Sequence, residues 1–407
     1  MSAVSSLRRI PGHRVLVVAT VTALATAGMA LLPVEGGAVA ANMSGPCALS
    51  GGDGFGEGPT GAEFLRPRGH HKAVMIMVDF SDIPAHGQAK DRAEFFSEYN
   101  DRYLRRASYG KYTLQLVPTA GWVRMPKPWS EYGIRRGIGS DAMKAYVQDA
   151  VDAARAQGTD FSGTDFVYVV ADDNVPAQPT VSQANTFGSL RAGPHRLRGA
   201  ALVFGRSTDS AAWQRGNFVH EANHLYGLPD LYDVENGASV QYAGGWDTMS
   251  MAGISDLLGW HKWKLGWLSR RQVDCVHTPG TSTHRLEPIG SPDGADITVV
   301  RTGTDTALVA EARTKTGLDA DICAEGVLLY RVDSSVPTGR GPVRVVDAHP
   351  GSHGGPACSS RSPAELAELG DSPFTPGQAH TFPGGERVEV VGKEAGGYLI
   401  RVTVPQE

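Results

Sequence analysis

The sequence has little net charge and no concentrated basic stretch: 38 Lys and Arg against 43 Asp and Glu leave -5 at pH 7. Nucleic acid and an anionic membrane both require a concentrated basic face, so neither is indicated as a partner. Long apolar runs are also scarce. Past residue 32 no stretch reaches the length that spans a bilayer, and no internal repeat points to a solenoid or propeller. What remains is an ordinary globular composition, 41% hydrophobic over 407 residues, enough for a sizeable core in one or two domains.

The first forty residues differ from the rest. Arg8, Arg9 and Arg14 precede an apolar and small-residue stretch over 15–32, and the segment ends in Ala38-Val39-Ala40, the small-x-small pattern that signal peptidases cut after. A membrane anchor of that length could just cross a bilayer, but the stretch is rich in Ala and Thr and a cleavage pattern follows it. Residues 1–40 therefore read as an export signal, making the mature protein secreted and extracellular, without stable membrane association. Its four cysteines are Cys47, Cys275, Cys323 and Cys358. An even number in an exported chain reads as two disulfides with three possible pairings. Cys323 with Cys358 and Cys47 with Cys275 is the favoured set. The alternative for Cys47 is a metal ligand, acting as a latch until the N-terminal segment is cut away.

Residues 41–71 are rich in Gly, Pro and Ser and read as an irregular lead-in. Residues 72–80 (KAVMIMVDF) form a continuous apolar run of strand length, suited to a strand buried on both faces. A helix follows with Phe95, Phe96, Tyr99 and Tyr103 at spacings of three to four; 111–117 alternates as a strand. Residues 141–157, with Met143, Val147, Ala150, Val151 and Ala154 on one side and Gly158 just past the end, read as an amphipathic helix. Strands at 166–170 and 200–204 complete an α/β (α+β) domain over 72–270, with a mixed twisted sheet. The run 197–205 could form its edge strand over a cleft, where an extended peptide would pair with it. Beyond 270 short β-prone runs (297–300, 307–310, 326–332, 343–346, 387–391 and 398–404) alternate with turns. They predict a smaller β-rich, sandwich-like domain over 271–407.

Residues 218–230 contain His-Glu-x-x-His-x-x-Gly-x-x-Asp. A separation of four is slightly more than one helical turn, so His220 and His224 share a face and can hold one ion. Glu221 lies beside the ion, placed to take a proton from water. Gly227 can adopt positive φ and break the backbone away, Pro229 stops the helix resuming, and Asp230 returns as third ligand. Asp233 and Glu235 stand close behind and remain alternatives, or a second sphere, or calcium ligands. Two imidazoles and one carboxylate with an open position suit a catalytic Zn2+; such an ion would lower the pKa of water to about 7, with Glu221 as base and then proton donor to a leaving amine. A bare His-Glu-x-x-His on a surface helix can arise by chance; the Gly and Asp extension and the export context argue against that here. The turn Asp172-Asp173-Asn174 could bind Ca2+, although a solvated turn is the favoured reading.

Residues 219–233 (VHEANHLYGLPDLYD), 244–250 (GGWDTMS), 259–268 (GWHKWKLGWL) and, upstream, 77–82 (MVDFSD) resemble the immune inhibitor A-like metallopeptidase family, within the metzincin-like zinc peptidases. The resemblance covers roughly residues 72–268 and, more weakly, 326–332 and 341–348. It implies a zinc endopeptidase in which Met249 forms a methionine turn beneath the ion without binding it. On its own, a Met after Trp-Asp reads as core packing. The family's larger members carry long propeptides and extra C-terminal domains, for which this chain has too little length. In 259–268, Trp260, Trp263 and Trp267 read as a core-facing stripe, and His261, Tyr232 or Tyr242 could stabilise an oxyanion, a structural or solvent-facing role being the competing reading. The expected protein is a monomer that hydrolyses protein or peptide substrates. Alternatives are a zinc hydrolase of non-peptide amides and an inactive secreted binding protein that uses its β-rich half.

Overall fold

The computed structural model describes residues 43–406 apart from 52–53, 237–238, 292–293 and 295, so the export-signal segment lies outside the described residues. The apolar run near residue 75 sets the architecture. It forms β1 (Gly69–Asp79), in which Ala73, Met75 and Met77 enter one apolar cluster while Val74, Ile76 and Val78 enter another. A strand with both faces buried needs a layer on each side, and flanking helices supply them. After β1 come α1 (Ala89–Ala107), β2 (Tyr112–Pro118), β3 (Val123–Arg124), α2 (Trp129–Tyr132), α3 (Ser140–Ala156) and β4 (Thr164–Ala171). Next are β5 (Gln183–Ala192), β6 (His195–Val203), α4 (Ala211–Leu225) and α5 (Gly259–Lys264). Helix α3 covers one face through Met143, Tyr146, Val147, Ala150, Val151 and Ala154. Helices α1 and α4 share the other through Phe96, Tyr103, Leu104, Phe218, Ala222 and Leu225.

The sheet runs β2-β1-β4-β6-β5, with β3 also paired to β1. All its pairs are parallel except β5 with β6, so the sheet is mixed. That corrects the edge expected at 197–205: β6 has partners on both sides, and β5 is the edge. Strand β5 (QANTFGSLRA) escapes sequence reading because an edge strand with one solvated face needs no apolar run, and its register is broken between Thr186 and Leu190.

The later strands are β7 (Val273–Val276), β8 (Gly280–Leu286), β9 (Ile297–Arg301), β10 (Thr306–Arg313), β11 (Gly326–Asp333) and β12 (Val343–Val346). Two short helices, α6 (Gly355–Cys358) and α7 (Ala364–Glu368), precede β13 (Ala379–Thr381), β14 (Arg387–Glu394) and β15 (Gly397–Val404). They make a five-stranded sheet, β12-β11-β10-β9-β7, and a four-stranded sheet, β13-β14-β15-β8. Along β10, Ala307 and Val309 join the cluster under α1 and α4, whereas Leu308 and Ala310 meet Val388, Val390, Ile400 and Val402 of the four-stranded sheet. The apolar core therefore continues across residue 270, and 41–407 forms one compact unit.

No helix or strand forms among the described residues before Gly69, yet Met43, Cys47, Leu49 and Leu65 are buried in the main cluster. Cys47 is joined to Cys275 and Cys323 to Cys358, with Cα separations of 5.7 and 5.5 Å. The favoured pairing is the one found, and a sulfur committed to Cys275 is not free to act as a metal latch. Among the described residues no helix is long and apolar enough to cross a membrane.

Candidate metal centre

Helix α4 starts where Ser210 Oγ accepts a hydrogen bond from the Trp213 amide, 3.2 Å away. It ends by the amides of Gly227 and Leu228 donating to His224 O and Asn223 O. Gly227 takes φ +88°, and a Cβ there would stand 2.9 Å from Thr60 Cγ2 and 3.1 Å from Phe64 Cγ. Glycine is thus required twice, for the left-handed turn and for the lead-in segment packed against it. The chain then doubles back to Asp230, whose amide donates to Thr338 Oγ1 at 2.8 Å and whose carbonyl accepts from Gly339 at 2.9 Å. The β11–β12 connection therefore pins the loop that carries Asp230.

Three atoms converge at this point. His220 Nε2 is 3.1 Å from Asp230 Oδ1 and 3.1 Å from His224 Nε2, and His224 Nε2 is 3.2 Å from the same Oδ1. Each imidazole is oriented through its other nitrogen: His220 Nδ1 meets Thr248 O at 2.9 Å and His224 Nδ1 meets Leu228 O at 2.8 Å. A carbonyl only accepts, so both Nδ1 atoms carry hydrogen and both Nε2 atoms present lone pairs in the neutral rings. Two lone pairs and a carboxylate oxygen aimed at one point repel unless a cation lies between them. The group His220, His224 and Asp230 could hold a metal ion.

Electrostatics follow that geometry. Burial opposes charge on His224 and Asp230, but the Asp230 carboxylate keeps His224 above its ordinary value, and the two histidines hold Asp230 far below the usual carboxylate range. Glu221, only 4% exposed, is pushed by burial up to about 8. Asn217 Nδ2, at 3.4 Å from Glu221 Oε1, donates from one turn earlier.

The remaining carboxylates near the motif are occupied elsewhere. Asp233 accepts from the amides of Glu235 and Asn236 and from the side chains of Asn236, Gln241 and Tyr242; Glu235 pairs with Arg340 at the surface. Tyr242 is thus tied to Asp233, while Tyr232 lines the cleft with its ring 6.1 Å from that of His220.

Met249 is fully buried, in a turn organised by Asp247. Asp247 Oδ1 accepts from the Met249 amide at 2.7 Å, and Oδ2 accepts from the Leu258 amide and His261 Nδ1, both at 2.7 Å. Met249 O accepts from Leu231, next to Asp230, and Thr248 O receives His220. Helix α5 is shorter than the tryptophan spacing implies: Trp260 and Trp263 lie on it, Trp267 beyond it, and all six of its residues are buried. His261 is enclosed between Asp247 and Glu57, whose Oε1 is 3.0 Å from His261 Nε2. It is a structural hub, away from the cleft. Glu57, from the lead-in, had no sequence signal, because nothing in its surroundings of Gly, Phe and Pro marks a buried acid.

Beside the three convergent atoms opens a cleft of about 510 Å³ whose walls include Phe55, Thr180, Ser182, Gln183, Ala184, Tyr232 and Thr338. Phe55 meets His224 edge to face at 5.5 Å. Two further groups of potential ligands occur among the described residues. Cys47, Cys275 and His277 include the disulfide; Asp347, His349 and Asp371 are partly exposed. Asp172 and Asp173 belong to neither, and Asp172 Oδ1 accepts from the amides of His86 and Asn174. A scan against protein-family models gives no match, and neither does comparison with curated proteins.

Proposed function

We propose that the chain is a zinc-dependent endopeptidase of the immune inhibitor A-like, metzincin-like type. The observation that carries this reading is the convergence of His220 Nε2, His224 Nε2 and Asp230 Oδ1 beside the buried Glu221 on an open cleft. Zinc bonds of about 2.0–2.1 Å in a tetrahedron imply ligand separations of about 3.3 Å, and the three observed edges of 3.1, 3.1 and 3.2 Å fit that size. Two imidazoles and a carboxylate with an open side are the donor set of catalytic rather than structural zinc. The buried Met249 turn beneath His220 supports the metzincin-like assignment, and the two sheets sharing an apolar face support a sandwich-like C-terminal half. The export pattern over 1–40 and two disulfides support secretion.

A zinc ion held there supplies a Lewis acid that makes water nucleophilic near neutral pH and draws charge from a carbonyl. The chain provides the rest. Glu221, on the cleft wall beside the three convergent atoms, takes the proton of the attacking water and returns it to the leaving nitrogen. Tyr232, on the cleft wall, is the phenol best sited to donate to the developing oxyanion. Edge strand β5 begins at the cleft, where Gln183 and Ala184 offer backbone to an extended peptide. Casein hydrolysis by the zinc-loaded protein, with a chelator control, tests the reading. Cleavage that survives removal of the metal contradicts it.

A further inference from the structure

A second cavity, about 220 Å³, adjoins the cleft on the side of Glu221, and most of the residues it does not share with the cleft are apolar: Trp213, Val240, Met251, Ala252 and Pro363. Two features do not suit a purely apolar occupant. Arg136 lines both this cavity and the main cleft, together with His220, Glu221 and Tyr232, and is the one Lys or Arg among the described residues lining either. Its guanidinium stands 5.5 Å from the Tyr232 ring centroid, and no carboxylate of the described residues pairs with it within 4.0 Å. The second feature is Ser250, 5% exposed, a residue of the cavity wall whose buried Oγ has no hydrogen-bond partner. A buried hydroxyl left unpaired is unfavourable, and an incoming acceptor would satisfy it.

We propose that this cavity is a subsite for a carboxylate-bearing group of the substrate, selected by Arg136 and bonded also by Ser250. The inference rests on the peptidase reading above and names its substrate class. A guanidinium offers parallel N–H donors that match a carboxylate and has no equivalent match to a carboxamide. The apolar walls accept the methylene stem of an acidic residue; Glu221 lines the same cavity, so the guanidinium of Arg136 has to outweigh its repulsion of a bound carboxylate. The carboxylate can come from an Asp or Glu side chain or from a free C-terminus.

The test is a peptide series with Glu or Gln at each position flanking the cleaved bond, each made with a free and an amidated C-terminus. It is read as kcat/KM for the zinc-loaded parent, Arg136→Gln, Arg136→Lys and Ser250→Ala. The Glu-over-Gln ratio at one position should be about tenfold or more in the parent, carried by KM. It should fall to near one in R136Q, stay intermediate in R136K and drop severalfold in S250A. If the preference follows the free C-terminus instead, the amidated peptides lose it and the source is the terminal carboxylate. A parent ratio near one for both sources, or an unchanged ratio in R136Q, overturns the inference. Calorimetric binding of the same peptides to the zinc-loaded Glu221→Gln variant separates this from failure of the peptidase reading. Carboxylate-selective binding without cleavage by the parent would sink the activity and keep the subsite, and binding without selectivity would sink the subsite.

Discussion

Replacing Gly227 by Ala probes how backbone conformation builds the metal centre, and Gly158 supplies an internal control. Both glycines follow helices and both have φ +88°; a Cβ at Gly158 meets nothing within 4 Å, whereas one at Gly227 meets Thr60 Cγ2 at 2.9 Å and Phe64 Cγ at 3.1 Å. The left-handed conformation costs an L-residue about 1–2 kcal/mol, which applies to both variants. Overpacking adds about 1–3 kcal/mol at Gly227 alone, because Phe64 is buried and held by the Phe64–Gly61 turn. Gly158→Ala should therefore lose about 1–2 kcal/mol and Gly227→Ala about 2–5 kcal/mol in urea unfolding of the metal-free protein. The second difference is functional. Gly227 steers the chain toward Asp230, so Gly227→Ala should weaken zinc binding severalfold while Gly158→Ala leaves it alone. Equal destabilisation of the two, with unaltered zinc affinity in both, would refute this account of the turn.

Three further outcomes are expected. Asp230→Ala should abolish stoichiometric zinc retention on dialysis, whereas Asp233→Ala should retain the ion and instead loosen the 233–242 loop, seen as faster proteolytic nicking. His261 is buried, and although burial opposes its charge, Asp247 and Glu57 raise it from 6.5 to about 10. Its stabilisation is complete below pH 6.5 and is lost as pH rises through about 10, so His261→Gln should flatten the decline of stability across that window, measured by urea midpoints. Replacing Cys47 and Cys275 together by Ser should cost about 2–5 kcal/mol and expose the lead-in segment that carries Phe55 and Glu57 to protease.

The candidate metal site was legible because helical spacing does the placing: residues at four-residue separation on α4 meet on one face, and Gly227 with Pro229 turns the chain back to Asp230. The choice among Asp230, Asp233 and Glu235 was open in the sequence; in space Asp230 is the one that stands with the two histidines, while Asp233 accepts from five donors of its own loop. Strands β1 and β4 were legible from apolar runs demanded by burial on both faces. Edge strand β5 was not, because its polar solvent face imitates a loop. Arg136 and Thr338 were invisible for a different reason: each reaches the cleft from a segment without periodicity, and only the folded chain brings them there; Glu57 likewise reaches His261 of α5, away from the cleft. The same holds for His261, whose helical position implied a separate face but whose two carboxylate partners lie 14 and 204 residues away.

The measurement that bears most directly on the central assignment combines zinc content with casein hydrolysis for the parent and Glu221→Ala. The expected result is one zinc per chain in both proteins, hydrolysis by the parent that a chelator stops, and a rate at least about 10²-fold lower in the variant. A parent that binds no zinc, or a variant that cleaves as fast as the parent, contradicts the assignment of His220, His224, Asp230 and Glu221.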